Sequence, residues 1–526
     1  MKTTPYALIS LTNKNNLELL IGNLVANDYK LIATTSTAQA IRALGYECKL
    51  VSDVASYPEI LNGRVKTLQP EIFGGILADL TVSEHVADLH KHHINPISLV
   101  VCNLYEFAEN LAAEDAKFIN STRDAKAQQL RHKNIIEHID IGGVALIRAA
   151  AKNYERVALL CDPNDYFEFI ERLNNGTINY AYRQLLAGKG YIHTANYDSK
   201  IANYFMKEND EYEQLLISAP LLQELRYGEN PYQDANAYAN EEKLGYSMNT
   251  STIIQGRELS YNNMVDVDAA YQAMMEFAVP CAIAIKHATP CGVGWGKTLH
   301  EAYQNCFMVD EKSIFGGIVI LNRPVDEELA QQLVSIFLEI VIAPDFQKEA
   351  LAVFETKKNL RVIKGLFCDD QKDYLQVKSI RGAYLVQTTA DKVNELKQVS
   401  QRRVDLNTQA ALGMLNKVVK HVKSNAIVIG QKDYVLGLCG GMVNRIAAAE
   451  NALSNALTNP RYDAEQPLLL ASDGFFPFTD IISLCVAHNI KYIIQPGGSI
   501  NDEKLITACD ENDIGMVVTG TRYFRH

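Results

Sequence analysis

Nothing in this 526-residue chain is apolar for long enough to cross a bilayer. The N-terminus MKTTPYALIS has neither a basic leader nor a hydrophobic core behind it, so no signal peptide is expected and the predicted location is cytoplasmic. A surplus of positive charge is missing too. The net charge is −12, which argues against a general binder of nucleic acid or of anionic membrane, although local Lys/Arg clusters and backbone N–H groups still hold small anions. The ten cysteines are scattered, several of them inside apolar runs, and so predict free thiols in a reducing compartment rather than a disulfide framework. Zinc spacing is absent, because Cys291 sits in PCGVG instead of PCxxC and no HxE accompanies it. There is no GxGxxG and no GxxxxGK(S/T), which removes the fingerprints of a Rossmann dinucleotide site and of a P-loop. No short-period repeat or low-complexity tract stands out.

What is present is an ordinary globular composition, 48% apolar and 21% charged, in a chain too long for one core. Short apolar strands at Tyr6–Ser10, Lys30–Ala33, Ser98–Leu104 and Val157–Cys161 alternate with helical stretches at Leu17–Val25 and Ala38–Leu44. That alternation predicts an α/β domain with a doubly wound parallel sheet. Glu106–His138 is polar and helix-prone and reads as a surface excursion. The charge-rich, then apolar stretch Met206–Leu225 predicts a boundary between a domain over 1–205 and a region over 206–526. Apolar runs at Ser313–Leu321, Ala426–Gly437 and Lys491–Gly498 predict two further α/β units, with a seam in the Lys-rich 354–380.

The most informative stretch is Cys281–Gly294, CAIAIKHATPCGVG. A buried strand runs into Lys286 and His287, and Thr289-Pro290-Cys291-Gly292 reads as a turn closing it. A cation beside an imidazole past a strand end suits proton transfer and charge stabilisation; a snorkelling Lys and a satisfied core His are the usual reading of so short a motif, and the rest of the chain has to decide. In the first domain, Ser10, Thr12 and Lys14 lie in one strand-to-helix loop and Thr34 and Thr37 in another, where a helix N-terminus favours phosphate. Simple N-capping by Thr37 is the alternative. In an extended segment Arg64 and Lys66 point to one face, beside Thr67. Asp140-Ile141-Gly142-Gly143, with Arg148 and Lys152, adds a carboxylate and cations near two flexible glycines; a surface ion-pair cluster has the same look. LRYGENPYQ (Leu225–Gln233), SDGFFPF (Ser472–Phe478), which on its own reads first as a packed aromatic turn, and the terminal RYFRH, with a solvated basic tail as its alternative, complete the set.

Together these residues resemble the bifunctional purine-biosynthesis family that combines phosphoribosylaminoimidazolecarboxamide (AICAR) formyltransferase with IMP cyclohydrolase. GRVKTL, DIGG…RAAAKN, LRYGEN, IKH..PCG, DGFFPF and QPGGSI occur in family order across nearly the whole chain. The resemblance implies a methylglyoxal-synthase-like N-terminal domain, followed by two α/β units of the cytidine-deaminase-like fold. It implies formyl transfer from 10-formyltetrahydrofolate to AICAR, then dehydrative ring closure to IMP, in an obligate homodimer without NAD, PLP or zinc. For formyl transfer it implies His287 as proton acceptor, Lys286 at the developing oxyanion, and Asn425 and His526 orienting donor or amine. Arg226, Tyr227, Arg445 and Arg522 would bind the nucleotide. For ring closure it implies Lys66, Tyr105, Asp140 and Lys152 in proton shuttling and oxyanion stabilisation. Ser10, Thr12, Lys14, Thr34, Thr37, Arg64 and Thr67 would hold the substrate phosphate.

The chain departs from the family pattern in places. The usual SGGT phosphate loop is Thr34-Thr35-Ser36-Thr37, where threonine resists the positive φ that glycine allows. Two usual histidines are Gln69 and Phe73, the 106–138 insert is long, GAGQ is Cys439-Gly440-Gly441-Met442, and NPHQ is Asn230-Pro231-Tyr232-Gln233. A formyltransferase with an inactive N-terminal domain, and a non-catalytic nucleotide binder, are the competing expectations.

Overall fold

A computed structural model describes residues 5–118, 124–208, 214–240, 247–365, 374–389 and 396–526. The chain divides into two compact units, Met1–Ser218 and Ala219–His526.

The first unit follows the expected alternation. Its elements are β1 (Tyr6–Ser10), α1 (Leu17–Ala26), β2 (Lys30–Ala33), α2 (Thr35–Ala43), β3 (Lys49–Leu50), α3 (Val51–Ala55), α4 (Pro70–Leu77), α5 (Ser83–Lys91), β4 (Ile97–Cys102), α6 (Phe107–Phe118), α7 (Ala125–Glu137), α8 (Gly142–Lys152), β5 (Ala158–Leu160), α9 (Tyr166–Asn174) and α10 (Tyr180–Glu208). The five strands form one parallel sheet in the order β3-β2-β1-β4-β5. Side chains alternate across a strand, so Ala7 and Ile9 enter one buried cluster and Leu8 enters the cluster on the opposite face. Helices cover both faces, which is the doubly wound arrangement. The 106–138 insert forms α6 and α7, anchored by buried Phe107 and Ile135. Phe107 meets the rings of Tyr197 and Tyr204 on α10 edge-on, at 6.4 and 6.0 Å between centroids.

The second unit opens with a hairpin, β6 (Leu221–Leu225) and β7 (Ala235–Tyr238). Then come β8 (Thr252–Gln255), α11 (Tyr261–Met274), β9 (Cys281–Lys286), β10 (Thr289–Trp295), α12 (Leu299–Phe307), β11 (Ile318–Leu321), α13 (Glu327–Val334), β12 (Ile340–Ala343), α14 (Lys348–Glu355) and β13 (Arg361–Lys364). A second hairpin, β14 (Leu375–Ile380) and β15 (Ala383–Thr388), stands outside both large sheets. The remaining elements are β16 (Lys397–Gln398), α15 (Leu406–Val419), β17 (Ile427–Gln431), β18 (Tyr434–Cys439), α16 (Arg445–Thr458), β19 (Leu468–Ser472), α17 (Asp480–Ala487), β20 (Ile490–Gln495), α18 (Asp502–Glu511) and β21 (Gly515–Val518).

These two series are one topology used twice. The sheets run β10-β9-β11-β12-β13-β8 and β18-β17-β19-β20-β21-β16, each mixing three parallel central strands with antiparallel edges. Strands of both sheets share one buried cluster with α11 and α15.

Candidate active sites

In the first unit the strand order reverses between β1 and β4, and parallel sheets bind ligands beyond the strand ends at such a point. Asn103, just past β4, bridges the gap. Its Oδ1 accepts the N–H groups of Thr12 (2.7 Å) and Asn13 (3.2 Å), and its Nδ2 donates to Asn13 O (2.8 Å). The loop is thereby fixed, with the Thr12 side chain exposed and Lys14 half-buried. Thr34 Oγ1 lies 3.5 Å from Ser10 Oγ and 3.3 Å from Thr37 Oγ1. Thr37 is fully buried and braces the loop instead of facing a ligand: its Oγ1 accepts Leu11 N–H at 3.1 Å. Residues 34–37 are not a free loop but the N-cap and first turn of α2, and none has a positive φ. Threonine therefore fits the backbone where the family has glycine.

Arg64 and Lys66 do not sit in an extended segment. Arg64 has φ −65° and ψ −26°, in the right-handed helical region, which breaks the alternation on which a shared face depends. Its guanidinium pairs with Glu137 at the end of α7. Lys66 lies near enough to Asp140 for its charge to act on that carboxyl. Burial raises the Asp140 pKa above the ordinary carboxylate value, against the Gly143 N–H it accepts at 2.7 Å and the charge of Lys66. Asp140 N–H donates to Tyr197 Oη (2.7 Å), and burial pushes that phenol to about 12, so it stays protonated.

Thr67 is 1% exposed and its hydroxyl has no hydrogen-bond partner. A Cβ on Gly142 would stand 2.6 Å from that oxygen. Gly142 and Gly143 thus serve close approach at the start of α8, not flexibility, since neither has a positive φ. A buried, unused hydroxyl beside a helix N-terminus is suited to a phosphate oxygen. Tyr105, 39% exposed, follows β4. Lys152 is exposed at the far end of α8, roughly 16 Å along the helix from Asp140. Arg148 lies over the Tyr191 ring at 5.5 Å.

In the second unit the turn is one step earlier than the sequence suggests. Thr289–Trp295 is a strand pairing back along Lys286–Cys281, with an irregularity at Pro290/Gly292 that accommodates the proline. Gly292 and Gly294 permit close packing against α12: a Cβ on Gly294 would come 2.2 Å from Cys306 N. The turn itself is His287–Ala288, with φ 56° and 57°. Both-positive φ is the signature of a type I′ hairpin, which non-glycine residues resist. Two contacts hold it. The Asp266 carboxylate on α11 accepts Ala288 N–H at 2.6 Å, and Lys286 Nζ donates to Phe315 O at 2.9 Å. The His287 side chain is left exposed. Burial raises the Asp266 pKa, opposed by the Ala288 N–H and the His287 charge. One turn earlier, Asn263 Nδ2 donates to Glu339 Oε2 at 2.7 Å. Asp266, Asn263, Glu339 and the Phe315 carbonyl have no local signal, because each meets its partner from 22 to 76 positions away.

At the entry to β17, Asn425 Nδ2 donates to Met442 O (2.9 Å) and its Oδ1 accepts from Arg445 Nη2 (2.9 Å). Arg445 differs from its expected role. Its guanidinium is turned inward onto Asp473, which is fully buried, and also donates to Ser472 Oγ at 2.9 Å. A buried charge is held by its partner, so Arg445 fixes Asn425 rather than presenting itself to phosphate. A cavity of about 150 Å³ lies beside it, lined by Arg445, Ile446, Phe476, Pro477, Phe478 and Asp480. Arg226 and Tyr227 follow β6. Arg522 is exposed over the Phe524 ring at 4.9 Å, and the Phe524 and His526 rings lie 6.1 Å apart. Among the described residues the nine cysteines are free, no group of three or more His, Cys, Asp or Glu is arranged for a metal, and no helix is long and apolar enough to cross a membrane.

A five-stranded parallel sheet in one unit and a duplicated mixed sheet in the other, bearing a lysine–histidine turn, define a two-part α/β protein. Comparison with known proteins gives its family. Residues 150–455 match the AICARFT/IMPCHase bienzyme family and residues 16–145 the MGS-like domain. The chain is 38% identical over 530 residues to the bifunctional purine biosynthesis protein PurH of Oceanobacillus iheyensis, covering 99% of each chain. It is 40% identical over 526 residues to PurH of Halalkalibacterium halodurans, again with 99% of each covered, and 41% over 538 residues to PurH of Prochlorococcus marinus, likewise. The chain belongs to the AICARFT/IMPCHase bienzyme family. It is a bifunctional formyltransferase and IMP cyclohydrolase of the last two steps of purine synthesis.

Proposed function

We propose that the second unit carries formyl transfer at the Lys286–His287 turn and that the first carries ring closure at the Lys66–Asp140 pair. The held His287–Ala288 turn is the observation that carries the first assignment. The AICAR amine is a weak nucleophile because its lone pair is delocalised into the ring. The exposed His287 imidazole takes the amine proton, and the Lys286 ammonium faces the negative charge that develops on the formyl oxygen. Asn425, held at both ends of its amide, and His526 orient the reacting groups. Arg226, Tyr227 and Arg522 bind the nucleotide. 10-Formyltetrahydrofolate supplies the formyl group: the bond from its N10 to the formyl carbon breaks as the amine nitrogen bonds that carbon, and the proton taken from the amine goes to N10, releasing tetrahydrofolate. The cavity beside Arg445, at about 150 Å³, has room for only part of such a donor, a ring lying against Phe476 or Phe478.

For ring closure, the carboxamide nitrogen attacks the formyl carbon and water leaves. Asp140 and Lys66 exchange the protons that step requires, with Tyr105 at the rim. Thr67, with Ser10, Thr12, Lys14 and Thr34, receives the phosphate, and Arg64 joins them on leaving Glu137. The chain acts as a cytoplasmic homodimer. The β14–β15 hairpin supports this, since both its faces are exposed yet carry Leu375, Val377, Tyr384, Leu385 and Val386.

Paired variants test the assignment. Asp140→Asn should abolish ring closure of formyl-AICAR and leave AICAR formylation near wild type, while Lys286→Met should do the reverse. If either variant impairs both steps equally, the division between the units fails.

A further inference from the structure

Behind the C-terminal tail lies a half-buried row of charged and polar side chains, with His421 buried at its centre, that the two reactions leave unused. Glu276, just past α11, pairs with Lys420 and lies 3.3 Å from His421 Nε2. His421 is 6% exposed. On its other side Arg525 Nη1 reaches His421 Nδ1 at 3.1 Å, and Arg525 Nη2 donates to Gln272 Oε1 at 2.9 Å. A guanidinium has only donors, so Nδ1 is the acceptor and the ring proton sits on Nε2, facing the Glu276 carboxylate. One neutral tautomer satisfies both neighbours. An imidazolium would turn an N–H against the guanidinium.

The row ends at the formyl-transfer residues. Arg525 N–H donates to Ser424 Oγ (3.2 Å), and Ser424 N–H donates back to Arg525 O (2.9 Å). The next residues along the two segments are His526 and Asn425. Each therefore sits one residue beyond a two-way clamp, one bond between backbones and one through the Ser424 hydroxyl, whose outer half is pinned through the Arg525 side chain.

We propose that Glu276, His421 and Arg525 are positioning residues for formyl transfer, locking the last residues of the chain against the entry to β17 so that Asn425 and His526 keep a fixed spacing. The proposal rests on the reading that Asn425 and His526 act in that reaction. No proton passes along the row; it works by geometry.

The test uses the full-length protein, with formyl transfer from AICAR and ring closure from formyl-AICAR assayed separately. His526→Ala and Asn425→Ala examine the underlying reading: wild-type formyl transfer in both removes it and the proposal with it. If they lose activity, His421→Phe and Arg525→Met should lower formyl-transfer kcat on the order of 100-fold, the cost of a misplaced reacting group. KM for AICAR should change less than about threefold, and ring closure should not change. His421→Asn, whose Oδ1 replaces the Nδ1 acceptor, should recover about tenfold of that kcat, a gain that general loosening would not give. If His421→Phe fails to bind AICAR by calorimetry, Arg525→Lys decides by the same kcat and KM, since it keeps the charge but reaches only one of the two acceptors. Wild-type kcat in the Arg525 and His421 variants, or equal losses in His421→Phe and His421→Asn, would overturn the proposal.

Discussion

The Asp266 carboxylate accepts Ala288 N–H at 2.6 Å, so a helix residue 22 positions upstream holds the turn that presents His287. An alanine at φ 57° sits in a region that costs an L-residue roughly 1–2 kcal/mol, partly offset by the greater chain entropy of glycine. Ala288→Gly should therefore raise stability by up to about 1 kcal/mol, read as a higher midpoint in urea at unchanged slope. Asp266→Ala should lower formyl-transfer kcat with little change in ring closure, because it frees the turn without touching the first unit.

Thr67 gives a prediction in which stability and binding part company. Burying a hydroxyl without a partner costs about 1–3 kcal/mol, so Thr67→Val should leave the melting temperature unchanged or higher. Ring closure should nonetheless suffer, with KM for formyl-AICAR rising about tenfold as one phosphate contact is lost. A lower melting temperature with unchanged KM would mean that Thr67 is only a core residue.

Much of this was legible in the sequence, for identifiable reasons. β1 and β2 begin and end where the apolar runs do, because a strand buried on both faces of a parallel sheet needs an unbroken run of apolar residues. The glycines misled where they serve packing: Gly292 and Gly294 lie within β10, close against α12, and Gly142 and Gly143 lie within α8. The duplication is invisible to residue matching because equivalent places have diverged. Asn322 after β11 accepts the Cys281 N–H at 2.9 Å, and Asp473 after β19 accepts the Ala426 N–H at 3.1 Å. The second is a carboxylate that also pairs with Arg445, which is why Arg445, a plausible phosphate ligand by sequence, is turned inward.

Gly294 supplies a direct check on that packing account. A methyl group there would meet the Cys306 backbone N at 2.2 Å, and backbone cannot rotate aside. Gly294→Ala should destabilise the second unit by about 3 kcal/mol or more, with soluble yield and denaturant midpoint as the readouts. A midpoint within error of wild type would show that α12 is free to shift.

Acid should weaken the second unit through His421. Burial, joined by Arg525 and Lys420, lowers the folded-state pKa against the pull of Glu276. Between that lowered value and the unfolded value near 6.5, the unfolded chain binds more protons, so stability falls as pH drops through this window. Glu276 adds a second loss at lower pH. Burial opposes its charge, but His421 and Lys420 outweigh burial and bring its pKa to about 2, so its contribution declines as pH falls below the ordinary carboxylate range toward that value. His421→Asn should flatten the dependence of the melting temperature as pH falls below about 6.5; an unchanged slope would assign it to other groups.

The central claim, that one chain completes both steps despite threonine at positions 34, 35 and 37, is tested most directly by supplying the purified protein with AICAR and 10-formyltetrahydrofolate and resolving the nucleotides by chromatography. IMP as the final nucleotide is the predicted result. Formyl-AICAR accumulating without IMP would contradict it, and would mean that the first unit no longer closes the ring.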